Sequence, residues 1–212
     1  MAEVTKREQL IFDIASAEWE LFQEVRNTGG RASCQNDART FFKMRMSQWM
    51  VYSDAVLESY WNDLDAAARA GRNLIFEKYG NMMETTYPEE YEEIKAHLPA
   101  VSDRQKCMIE QMAAYHVKWD AWMLEHYPNI RKNGRLLTTR EDNKFEGSSS
   151  ESYLRGEALT YSEKTVELML KEMREADERG DNLLKEIIAN ETAFYGYESL
   201  EAAEAAHGKV NG

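Results

Sequence analysis

Slid against itself by 109 positions, the chain lies on itself without a gap: "YSDAVLESYWNDLDAAARAGRNLIFEKYGN" falls on "YSEKTVELMLKEMREADERGDNLLKEIIAN". Residues 52–87 and 161–196 share nine identities in thirty-six positions, at Tyr52, Ser53, Glu58, Ala67, Gly71, Asn73, Leu74, Glu77 and Asn81 and their partners. The pattern just ahead repeats at a shift of 100, where "FDIASAEWELF" falls on "MAAYHVKWDAW" and pairs Trp19 with Trp119 and Phe22 with Trp122. A chain written twice is constrained to fold as two like units, and a small helical unit exposes an apolar stripe that its twin can cover. The expectation is an all-α helical bundle built from two pseudo-symmetric three-helix repeats, residues 6–95 and 102–204, sharing one core in a single domain, 1–212.

The periodicity supports that class. The only prolines, Pro88, Pro99 and Pro128, fall between segments with a helical period, and no run alternates as a strand would. A first helix is read over Lys6 to Arg26, with Leu10, Ile14, Ala17, Leu21 and Val25 on one face. A long helix is read over 37–70, stopped by Gly71, and a shorter one begins at the cap Asn73. Its counterpart in the second half is read over 150–179.

Charge narrows the partners. With 38 acidic against 26 basic residues the formal net charge is −12, which repels a polyanion, so nucleic acid and anionic membrane are excluded as bulk partners. The opening "MAEVTKREQL" lacks the apolar core of a signal peptide, and no apolar run approaches the roughly 20 residues that span a bilayer. Cys34 and Cys107 make no disulfide framework. These features together give the expectation of a bacterial, cytoplasmic protein.

The connector "NTGGRASCQND", residues 27–37, is the richest in chemistry. Gly29 and Gly30 allow backbone N–H groups to turn inward, Arg31 supplies a planar cationic fork, and Cys34 stands just before a positive helix end. On the helix that follows, Phe41, Arg45, Gln48 and Tyr52 share a face. In the second half Tyr153, Glu157 and Tyr161 share one, with Arg155 beside it, and the 109-residue shift matches Gln48 to Glu157 and Tyr52 to Tyr161. Arg31 is expected to turn inward toward Glu18 and Glu157, with Cys34 ordered and not fully exposed. The polar run over 132–152 occupies the corresponding place in the second half and reads as a mobile loop, either a lid or simply disordered.

"AEWELFQEVRNTGGRASCQND", "FFKMRMSQW" and "SYLRGEALTYSE" resemble the motifs of a bacterial family known as domain of unknown function 4125, over nearly the whole chain. The resemblance implies a stand-alone bacterial protein and carries no activity. It implies that Glu18, Trp19, Arg31, Cys34, Gln35, Arg45, Gln48, Tyr153, Arg155 and Glu157, which match those motifs, line something.

No metal or cofactor is expected. The one Glu-x-x-His spacing is Glu204 to His207, the i,i+4 pairs Glu93/His97 and His116/Asp120 stand alone, and "GGRASCQ" lacks the Gly-Lys-Ser/Thr ending of a phosphate loop. The residues point to a protein that binds or transforms a small polar or anionic metabolite between the two repeats. Candidate catalytic groups are Cys34, Tyr153 and Glu157. Candidate ligand-binding groups are Glu18, Trp19, Arg31, Gln35, Arg45, Gln48, Tyr52, Arg155 and Tyr161. The alternative is a non-catalytic helical interaction or adaptor module acting as a homodimer, and the residues leave open whether there is catalysis at all.

Overall fold

The computed structural model describes residues 4–26, 30–132, 134–138 and 148–210; Gly29 and residues 139–147 of the polar run lie outside the described residues. Among the described residues the chain is all helical, with no strand. The helices are α1 (Lys6–Glu24), α2 (Ala38–Trp49), α3 (Asp54–Arg69), α4 (Leu74–Thr86), α5 (Pro88–Ile94), α6 (Asp103–His126), α7 (Pro128–Arg131), α8 (Ser150–Ala158), α9 (Glu163–Arg179), α10 (Leu183–Phe194) and α11 (Leu200–Val210).

Local chemistry accounts for their ends. Thr5 and Glu8 close a capping box at the start of α1, with Glu8 N–H donating to Thr5 Oγ1 at 3.2 Å and Thr5 N–H to Glu8 Oε2 at 2.7 Å. After α3 the chain reverses at Gly71, whose φ of 66° any side chain would strain, and Arg72 N–H reaches back to Ala67 O at 2.9 Å. The same turn follows α9, with Gly180 at φ 81° and Asp181 N–H donating to Ala176 O at 2.8 Å. Asn73 and Asn182 cap the next helices, and their amides also donate to Leu21 O of α1 and Trp119 O of α6.

The long helices read over 37–70 and 150–179 are each two helices, which corrects the three-helix count per half. The first is broken at 50–53, where Ser53 is extended (φ −69°, ψ 165°) at the start of α3, and the second at 159–162, where Ser162 is extended likewise and its hydroxyl accepts from Thr165 N–H at 3.2 Å. Neither break contains proline or glycine. Each is fixed from afar: Glu172 of α9 accepts from Ser53 N–H at 3.0 Å and from its hydroxyl, and Asp63 of α3 accepts from Ser162 N–H at 2.9 Å. A carboxylate at a helix start satisfies N–H groups that no residue of the helix can reach.

One core runs through the molecule, with Ile14, Trp49, Leu57 and Tyr60 from the first half against Ile109, Met112, Val166 and Met173 from the second. The buried stripe of α1 is Ile11, Ile14, Ala15, Glu18 and Phe22, turned from the face read in the sequence, so that Leu10, Ala17 and Leu21 flank it half-buried. Helices α3 and α9 cross, α4 lies on α8, and α10 lies on α2. The α4–α8 approach is close because Gly156 has no side chain: a Cβ there would stand 2.9 Å from Lys78 O and 2.5 Å from the Met82 side chain. Gly156→Ala should therefore cost about 1–3 kcal/mol by overpacking, read as a lower urea midpoint. An unchanged midpoint would mean that α8 does not sit this tightly on α4.

Candidate functional site

Four charged side chains are buried together, a costly arrangement unless each is paired. Glu18 of α1 is 0% exposed, Arg45 of α2 6%, Lys78 of α4 3% and Glu157 of α8 6%. The helix faces carry them inward: Glu18 stands on the apolar stripe of α1, Lys78 lies between Leu74 and Met82 at i±4, and Glu157 follows the glycine that lets α8 approach α4.

Arg45 is the bridge. Its Nε donates to Glu18 Oε2 at 2.7 Å, and one terminal nitrogen donates to both Glu18 Oε1 and, at 2.8 Å, Glu157 Oε1. The other terminal nitrogen donates to Gln48 Oε1 at 2.9 Å, and Gln48 Nε2 donates to Glu157 Oε1 at 3.1 Å. Lys78 Nζ holds Glu157 Oε2 at 2.6 Å, and the Tyr161 hydroxyl donates to Oε1 at 2.6 Å. On the other side the Tyr60 hydroxyl donates to Glu18 Oε1 at 2.9 Å beneath Trp49, whose ring stacks on Tyr60 at 4.3 Å between centroids. Two carboxylates and two cations cancel.

The electrostatics follow. Burial works to raise the Glu157 carboxyl, but Arg45 and Lys78 outweigh it and hold the group well below the usual carboxylate range. Burial pushes the Tyr161 and Tyr60 phenols far up, reinforced by Glu157 for the first and Glu18 for the second, so both remain hydrogen-bond donors. Glu157 is thus a permanently ionised acceptor with both oxygens occupied, which does not suit it to shuttle protons.

Against this cluster lies a cavity of about 170 Å3. Gln48, Tyr52, Glu157 and Tyr161 form its polar wall, and the rest is mostly apolar, from Met112 and Trp119 of α6, Met169 and Met173 of α9, and Leu183 and Leu184 of α10. Tyr153 also lines it, with Lys78 Nζ 3.6 Å and the Arg135 guanidinium 4.5 Å from its ring centroid. Among the described residues, the Tyr52 and Tyr153 hydroxyls make no hydrogen bond and Arg135 makes no ion pair. His116 and Ser150 meet at the same cavity, Nε2 to Oγ 2.6 Å.

Of the residues singled out in the sequence, the fold gathers Glu18, Arg45, Gln48, Glu157 and Tyr161 into the cluster and places Tyr52 and Tyr153 on the cavity. It does not gather the others. Arg31 is exposed, correcting the inward expectation: it is held by Gln23, by Asn36 Oδ1 at 3.0 Å and by Gln35 O at 2.7 Å, because Arg45 already occupies the carboxylates it was expected to meet. Cys34 is exposed too, on a 3-10 turn over Ser33–Asn36. Gln35 is buried with a structural task, its amide donating to Phe22 O at 2.7 Å and Val25 O at 3.0 Å, the open carbonyl end of α1. Trp19 packs with Phe22, Phe41 and Phe42, away from the cavity. Arg155 is tied to Glu110 at 2.8 Å and Glu151 at 2.5 Å, so the three arginines 31, 45 and 155 do not converge. Sequence reasoning missed Lys78, Tyr60, Arg135, Ser150 and the cavity position of His116. The signal for Lys78 was present, a lysine on an otherwise apolar stripe. Among the described residues no group of three or more His, Cys, Asp or Glu is placed to hold a metal ion, and no helix is long and apolar enough to cross a membrane.

Removing one partner from a buried pair leaves an uncompensated charge, so Arg45→Ala should cost about 3–5 kcal/mol, measured by denaturant unfolding. Because the folded Glu157 is depressed below its ordinary value of 4.5, its contribution is complete above that pH and is lost as pH falls from 4.5 through the folded value. Glu157→Gln should flatten the acid limb of the stability–pH curve below 4.5; an unaltered slope there would contradict the pairing.

No curated protein and no solved structure matches the chain. A family model described as "Protein of unknown function (DUF4125)" matches residues 8–205, nearly the whole length, a span that includes Glu18, Arg45 and Glu157: the chain belongs to that family.

Proposed function

We propose that the protein binds a small molecule in the cavity between its two halves, and that the ligand has an apolar body and an anionic or hydrogen-bonding head. The observation that carries this reading is a mostly apolar cavity of about 170 Å3 whose polar groups are divided in two. Those of the charge cluster are spent on each other; those of Tyr52, Tyr153 and Arg135 have capacity left among the described residues. Apolar cavities of about 150 Å3 hold benzene, so the ligand body is of the size of one ring or a short branched chain. The sequence led to a small polar or anionic metabolite; the walls of methionine and leucine favour one that also carries an apolar body.

The same reading takes residues 6–95 and 102–204 as duplicated halves. Its support is the exchange of caps: Asp63 and Glu172, which end each other's long-helix breaks, are themselves 109 positions apart, as are Ser53 and Ser162. Gln48 and Glu157, again 109 apart, meet each other directly at 3.1 Å. A site on such a junction is shared by both halves, as the sequence led us to expect of a cytoplasmic binding protein or enzyme.

Purified protein examined by native mass spectrometry and by thermal shift with benzoate as the probe should retain or accept one ligand per chain. Arg135→Ala or Tyr153→Phe should weaken benzoate binding by at least about tenfold, a 1.4 kcal/mol change, with little effect on the unliganded melting temperature. Leu184→Trp, which fills the cavity, should remove binding; wild-type response in that variant would place the ligand elsewhere. The alternative, a non-catalytic interaction module acting as a homodimer, is favoured by one observation, the internal saturation of Glu18 and Glu157. It requires that benzoate give no shift and that light scattering report twice the 24.6 kDa chain mass.

A further inference from the structure

We propose that Ser150 and His116 are a nucleophile–base pair, and that the cavity serves the hydrolysis of esters of small apolar carboxylic acids. The inference rests on the binding reading for its substrate class and on separate geometry for its chemistry. Ser150 is the first residue of α8, its backbone fixed by N–H donation to Leu136 O at 2.7 Å, and its Oγ stands 2.6 Å from His116 Nε2, the reach a general base needs. Both side chains line the cavity, so an acyl group seated among Met112, Met173 and Leu184 would present its carbonyl carbon to the pair.

The surroundings favour a neutral imidazole. Burial pushes His116 down, Asp120 one turn along α6 pulls it up, and Arg131 of α7 pushes it down again. Asp120 is itself clamped by Arg131, with one contact at 2.5 Å. From the other elements around the cavity, Arg135 precedes α8, Tyr153 and Glu157 lie on α8, and α9 and α10 present only Met169, Met173, Leu183, Leu184 and Ile187. The first N–H groups of α8 are occupied by Leu136 O, Leu137 O and Ser149 Oγ, so negative charge developing on a carbonyl oxygen falls to Arg135.

The step balances with water as the only co-reactant. Ser150 Oγ bonds to the acyl carbon as its proton passes to His116 Nε2. The ester C–O bond breaks, and the departing alkoxide takes that proton to leave as the alcohol. Water then adds to the acyl-serine while His116 accepts one of its protons; the Oγ–acyl bond breaks, the proton returns to Ser150, and the carboxylic acid departs. Nothing is oxidised or reduced.

The full-length chain incubated with an alkyl fluorophosphonate should gain one phosphonyl group per chain, with loss of fluoride, mapped by peptide mass spectrometry to Ser150. Ser150→Ala should take up none at that peptide. His116→Gln should slow labelling by at least about 100-fold, the lower end of general-base contributions, and circular dichroism should report its helices intact. The wild-type rate should be level at the ordinary histidine value of 6.5 and fall only below it, since the base must be deprotonated and its value is lowered. Absence of label from Ser150 in folded protein, a His116→Gln rate equal to wild type, or a rate that already falls above pH 6.5 would overturn the pair. Ser150→Ala should keep its thermal shift with benzoate. If benzoate shifts neither protein while Ser150 is still labelled, the binding reading fails and the pair stands; if benzoate shifts both and Ser150 is inert, the pair alone fails.

Discussion

The Arg45 guanidinium, donating to Glu18 on one side and Glu157 on the other, joins the first helix of the chain to the eighth. Everything near the cavity depends on that join. A planar fork with several donors in fixed directions can satisfy two carboxylates at once, which an ammonium does less well. Lys78 then takes the remaining oxygen of Glu157 as a point charge. Buried ion clusters are poor sources of net stability, since the loss of hydration offsets most of the attraction. Their effect here is on selection: this packing of five helices puts every oxygen of Glu18 and Glu157 opposite a donor.

Steric and electrostatic selection agree at the same place. Gly156 admits the backbone of α4 at Lys78, and the next residue, Glu157, receives the Lys78 ammonium. A helix sliding by one turn would bring a side chain against that backbone and leave the carboxylate without its cation. The cavity lies where Tyr153, Leu154, Glu157 and Ala158 of α8 face Met112 of α6, Met169 and Met173 of α9, and Leu183 and Leu184 of α10. Held by its neighbours and not by a ligand, Glu157 forms a rigid wall, and the adaptable chemistry is left to the groups farther round.

The class of fold was legible in the periodicity, and so was the meeting of Arg45, Gln48 and Glu157, because polar residues recurring on one helical face must meet something. Other features were hidden for definite physical reasons. The breaks at 50–53 and 159–162 carry no proline or glycine, and the groups that stabilise them, Glu172 and Asp63, are distant in sequence. The connector misled because arginine and cysteine suggest chemistry, whereas its decisive residue is Gln35, whose amide closes the end of α1. His116 and Ser150 are 34 positions apart and meet only once α6 and α8 have packed. Lys78 was overlooked although a lone lysine on an apolar stripe is a readable sign of a buried partner.

The remote caps also bear on how the fold is divided between the two halves of the chain. Within residues 38–69 the local preference is for one unbroken rod, since nothing between Met50 and Ser53 forbids a helix. Part of what holds the bend lies in the first half, where Arg7 of α1 donates to Met50 O at 3.1 Å and to Tyr52 O; the partner of the Ser53 N–H lies 119 residues later, on α9. The charge cluster is divided in the same way: Arg45 finds Glu18 and Gln48 in the first half, and its second carboxylate, Glu157, 112 residues on. The cavity needs both halves of the chain, since its walls run from Gln48 of α2 to Ile187 of α10.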